Sequence, residues 1–96
     1  MIDADFFEEL KDLYKQNVRM FAEQNSGYFI EKVNPLTIDI VESAFNTNAV
    51  IDKKYIQQHF VNFTINPQVT EIQKGYTTRI EISPDVSWEV KKSGEV

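Results

Sequence analysis

Asn34-Pro35 sits inside the stretch that most limits how this chain can fold: Phe29-Ile30-Glu31-Lys32-Val33-Asn34-Pro35-Leu36-Thr37-Ile38-Asp39-Ile40-Val41. A residue before proline is pushed toward extended backbone. Proline itself has its φ preset for the first central position of a turn. After it, Leu36, Ile38 and Ile40 alternate with Thr37 and Asp39, the period of a strand with one buried face. The local reading is strand, tight turn, strand, marking the start of a small sheet.

The flanking segments fill in the rest. Asp5 to Gln24 carries Phe6, Leu10, Leu13 and Phe21 near one helical stripe, with Phe7, Tyr14 and Val18 widening it. Asp3 or Asp5 is placed to cap this helix, and Gly27 in Asn25-Ser26-Gly27 suits a left-handed C-terminal cap. Strands are expected at Tyr28–Val33, Leu36–Val41 and His59–Ile65, with Val61, Phe63 and Ile65 on one face. Glu42 to Asn48 reads as a polar loop interrupted by Phe45. Ala49–Ile51 reads as a short strand, and Lys53–Gln58 as a turn of helix or a loop. Asn66-Pro67 and Ser83-Pro84-Asp85 read as turns. Val69–Gln73 and Thr77–Ile82 flank Lys74-Gly75-Tyr76 as a hairpin, and Val86, Trp88 and Val90 alternate as a last strand. Residues 91–96 read as a frayed tail. The expectation is a single α+β, mainly β domain over residues 1–96. It has an amphipathic helix in 1–26, a small antiparallel OB-like β-barrel of five to six strands in 27–90, and a flexible tail in 91–96.

Chemistry is sparse. Cysteine is absent, so disulfide, zinc-thiolate and thiol-nucleophile chemistry are excluded. His59 is the single histidine and has no nucleophile or orienting partner at local spacing. No serine lies in a glycine-flanked elbow, and no calcium-loop or phosphate-loop pattern occurs. Glu8 and Glu9 are neighbours on a helix and point apart, so they form no dyad. No enzyme activity, catalytic residue, metal or cofactor is expected. Residues 1–48 hold nine acids and four bases, while residues 49–96 hold six of each, so the net charge of −5 arises in the first half. That balance disfavours nucleic-acid and anionic-membrane binding. The N-terminal region carries Asp3, Asp5, Glu8 and Glu9 rather than a basic, apolar leader, and no transmembrane segment is expected.

The aromatic residues Tyr28, Phe29, Phe45, Tyr55, Phe60, Phe63, Tyr76 and Trp88 fall in the sheet half. Most are expected in the core, with one or two left for an interface. The wide helix stripe either covers one end of the barrel entirely or offers a second face to a neighbouring subunit. Phe7, Tyr14 and Val18 on the helix flank, together with Tyr76, are the expected protein-contact residues.

The Val33-Asn34-Pro35-Leu36 segment with its flanking apolar alternation, and the following Ala49-Val50-Ile51-Asp52-Lys53-Lys54-Tyr55-Ile56, resemble a small family. These are the PBSX-prophage-like (XkdR-like) tail and baseplate proteins of contractile-tailed phages, whose members pair an N-terminal helix with a stretch of the form G-x-V-x-x-V-N-P-L-x-I-x-I. The resemblance covers roughly residues 5–66; the family's closing Gly-Asp turn is replaced here by Gly75-Tyr76. It implies a structural barrel adaptor in the tail tip or baseplate, near the hub and spike. Such a protein would be homo-oligomeric, held by contacts with hub and baseplate proteins, assembled in the bacterial cytoplasm and carried in the virion tail. Two other classes stand as alternatives. One is an acidic inhibitor or immunity-type protein for a basic partner, which needs the acids gathered on one face. The other is a barrel that binds single-stranded nucleic acid.

Overall fold

The computed structural model describes residues 2–46 and 48–90. Helix α1 (Ala4–Gln24) leads to strand β1 (Phe29–Val33), helices α2 (Ile38–Phe45) and α3 (Lys53–His59), and strands β2 (Phe60–Lys74) and β3 (Thr77–Val90). The three strands form one mixed sheet in the order β1-β3-β2, with β1 parallel and β2 antiparallel to β3. The expected helix-then-sheet order therefore holds, but the described residues form an open three-stranded sheet where a closed barrel of five to six strands was expected. The expected tail at 91–96 lies outside the described residues.

Helix α1 starts as its acids suggest: the Asp3 carboxylate accepts from the N–H groups of Asp5 (2.7 Å) and Phe6 (3.3 Å). Its end differs. Asn25 is the C-cap, its N–H and side-chain amide both bonding the Phe21 carbonyl, and Gly27 does not take a left-handed conformation.

The largest correction falls just beyond Pro35. Residues 38–45 are a helix and not a strand. Thr37 adopts extended backbone and its hydroxyl accepts from the Ile40 N–H at 3.2 Å, an N-cap, and Asn46 closes the helix in the left-handed region. Val41 and Phe45, one turn apart, are both buried, which joins the supposed polar loop to the apolar stretch before it. Lys53–His59 resolves to a helix, capped by Asp52 through the Tyr55 N–H at 2.7 Å. The short strand expected at Ala49–Ile51 is reduced to one parallel bridge between Ile51 and Ile2.

Both supposed turns in the second half are strand interior. Pro67 and Pro84 stand directly opposite each other in the β2–β3 hairpin. The hairpin closes with Lys74 against Thr77 around Gly75-Tyr76, and Gly75 has φ +62°. A glycine with positive φ at the first central position is the type II′ arrangement, whose twist matches paired strands. Hydrogen-bonded and non-hydrogen-bonded pairs alternate from that closing pair, which puts Pro67 and Pro84 at a non-hydrogen-bonded pair. Neither missing N–H is then needed by the partner strand. A strand of this length extends roughly 50 Å, and the molecule measures 54 × 28 × 20 Å.

One sheet face carries the apolar set. Phe63 pairs with Trp88, Ile65 with Val86, Val69 with Ile82, and Ile30 and Val33 of β1 lie beside Ile80 and Ile82. Helix α1 packs on β2, and the Asn17 side-chain amide donates to the Ile65 carbonyl. The core gathers Ile2, Leu10, Tyr14, Leu36, Val41, Phe45, Ile51 and Ile65, while Ile80 and Ile82 are buried further along β3. At the base of the hairpin, Phe45 stacks on Phe63 and Trp88 with ring centres 5.5 and 4.8 Å apart, and Phe60 meets Trp88 edge-on.

Candidate protein-contact surface

Asn34 is the junction on which the candidate surface is built. Its N–H donates to the Ile82 carbonyl at 2.8 Å, continuing the β1–β3 ladder one residue past the strand. Its side-chain amide donates to Ser83 Oγ at 2.8 Å, and its carbonyl accepts from the Tyr14 hydroxyl at 3.1 Å. The residue before Pro35 thus ties the end of β1 to both β3 and α1. Burial pushes the Tyr14 phenol above its ordinary pKa, because the anion would lose hydration there.

Strand β1 forms one edge of the sheet, and all five of its residues are exposed. Phe29 is 68% exposed and Val33 45%, beside exposed Tyr28 and Ile30. Among the described residues this is an apolar edge with no strand outside it, the kind natural sheets normally blunt. The chain interrupts it once, with a bulge between Ile30 and Lys32. There the Glu31 carboxylate accepts from Lys74 Nζ (2.7 Å) on β2 and Arg79 (3.4 Å) on β3, clamping the edge strand to the far side of the hairpin. The hydrogen bond from Lys74 chiefly, with the charges of Lys74 and Arg79, holds the Glu31 carboxyl below its ordinary range against a smaller opposing desolvation.

A small notch opens where β1 ends. It has a volume of about 160 Å³ and lies between Lys11, Tyr14 and Lys15 of α1 and the Val33–Leu36 segment.

The four expected contact residues are not brought together. Tyr14 is 3% exposed and belongs to the core, bonded to Asn34 rather than offered to a neighbour. Phe7 and Val18 are half-buried against the same core, and Lys11 sits over the Phe7 ring at 5.1 Å. Tyr76 alone stands free, fully exposed at the hairpin tip. Of the aromatic residues, Phe45, Tyr55, Phe60, Phe63 and Trp88 pack around the hairpin base, whereas Tyr28, Phe29 and Tyr76 are exposed. His59 pairs its Nδ1 with the Tyr55 carbonyl at 2.9 Å and stacks on the Tyr55 ring, a local helix-end contact.

Sequence reasoning missed the β1 edge and the notch. The alternation in Tyr28–Val33 marks a strand but is silent on which side of the sheet lacks a neighbour. No group of His, Cys, Asp and Glu among the described residues is arranged to hold a metal ion, and no described helix is long and apolar enough to cross a membrane. No protein-family model, curated protein or solved structure matches the chain.

Proposed function

We propose that this protein is a non-enzymatic structural adaptor of a phage tail or phage-tail-like particle, working near the hub and baseplate through protein–protein contacts. The observation that carries the reading is the β1 edge: an exposed strand with Phe29, Ile30 and Val33 uncovered, lying beside the tip half of the hairpin on an elongated molecule. Strand edges recruit other chains through backbone hydrogen bonds, and an exposed apolar edge of this kind marks an assembly surface. The Val33-Asn34-Pro35-Leu36 resemblance supplies the particular setting.

Engagement of several acids within the chain favours this reading over an acidic inhibitor. Glu8 pairs with Lys11, Glu9 lies 3.9 Å from Lys53, Glu31 binds Lys74 and Arg79, and Glu42 accepts from the Ile2 N–H. These carboxylates, on α1, β1 and α2, are engaged within the chain and so are less available to a basic partner. Co-expression with the hub and baseplate proteins of a contractile tail, followed by native mass measurement, tests the proposal. A stoichiometric complex or a ring of copies is expected; a strict monomer that ignores those proteins would refute it.

A further inference from the structure

Lys11, Lys15 and Arg19 recur at every fourth residue of α1, so they lie along one line of the helix. They are three of the four bases in residues 1–48, gathered in one stripe on the acidic half of the chain. Two of them, Lys11 and Lys15, line the notch against Val33, Pro35 and Leu36. Lys11 is engaged by Glu8 at 2.7 Å, whereas Lys15 and Arg19 make no ion pair among the described residues. Beside this stripe the backbone is open among the described residues. The Asn34 N–H is committed to Ile82, so by strand alternation the N–H and C=O of Val33 point away from β3, out of the sheet. Three recognition features therefore converge: a free strand edge, an apolar notch sized for one side chain, and unneutralised positive charge.

We propose that the groove between α1 and the end of β1 binds an extended acidic segment of a partner protein, which adds as a strand outside β1 and seats one apolar side chain in the notch. Backbone hydrogen bonds at Val33 give register, the notch selects the anchor, and Lys15 and Arg19 select carboxylates flanking it. The bulge at Glu31 interrupts the rest of the edge and so disfavours indiscriminate pairing along it. The inference rests on the adaptor reading and names the chemistry of the partner's docking segment.

The test is fluorescence anisotropy at low salt with two labelled peptides. One alternates glutamate with leucine and valine; its twin carries lysine in place of every glutamate. The acidic peptide should bind saturably, weaken with added salt, and bind about tenfold more weakly to the Lys15→Glu/Arg19→Glu double variant, whose changes are on the surface. Val33→Pro, which removes the outward N–H, should abolish binding with the far-ultraviolet spectrum unchanged; if that variant does not fold, the double charge reversal decides. Equal binding of the two peptides, binding of neither, or an unaffected double variant would overturn the proposal. So would concentration-dependent dimers that exclude the acidic peptide, because a second copy would then hold the groove. Failure here alongside a persisting complex with hub proteins rejects the groove and leaves the adaptor reading standing.

Discussion

Asn34 shows how one side chain can hold together a fold that local rules describe only in part. It uses three polar groups on three partners, and its carbonyl depends on a buried tyrosine. Tyr14→Phe removes that donor and should cost about 0.5–1.5 kcal/mol in urea-induced unfolding. The sign of its pH effect also follows. The folded phenol has a raised pKa, so its contribution to stability is fully present below the unfolded value and is lost as pH rises through the folded one. The wild type should lose stability on the alkaline side, and the variant should lose less over the same range. Glu31 behaves oppositely. Its folded pKa is lowered, so its contribution is present above the ordinary carboxylate range and fades as pH falls through the depressed value. Glu31→Gln should flatten the acid limb of the stability–pH profile, and high salt should weaken the wild-type effect because the clamp is exposed.

At the scale of elements, α2 and the hairpin test different things. Leu36-Thr37-Ile38-Asp39-Ile40-Val41 satisfies a period of two, but Val41 and Phe45 also satisfy one helical turn. Thr37 three residues before Ile40 is the cap that could have shown it. A helix of eight residues is marginal alone, so its existence depends on what it packs against. Phe45 supplies that packing through Phe60, Phe63 and Trp88. Phe45→Ala should cost about 3–5 kcal/mol and red-shift Trp88 fluorescence, whereas Thr37→Ala should cost about 0.5–2 kcal/mol and leave the emission unchanged. Hairpin chemistry was more legible: Gly75 marks the turn by itself. The long strands were not, because Pro67 and Pro84 each read as a break until they are set opposite one another.

For the whole molecule, stability is expected to be graded along the long axis. The hairpin base is held by the aromatic cluster and α3, and its middle by α1, while the tip from Gln73 to Tyr76 is exposed. Hydrogen exchange should be slowest around Ile65 and Val86 and fastest at Gly75-Tyr76, with the Val33 amide exchanging faster than that of Asn34. Uniform protection along the hairpin would contradict this gradient. By itself the sequence determined the features whose causes lie within a few residues: the Asp3-capped amphipathic α1, the strand before Asn34-Pro35, and the glycine turn at Gly75. Tertiary structure alone decided that residues 38–45 are helical, that both prolines lie within strands, and that the sheet of the described residues is open with β1 parallel at its edge. Those outcomes depend on partners distant in sequence, namely Phe63 and Trp88 for α2, each proline for the other, and β3 for β1. A pattern of apolar residues shows that a face must be buried but does not say against what.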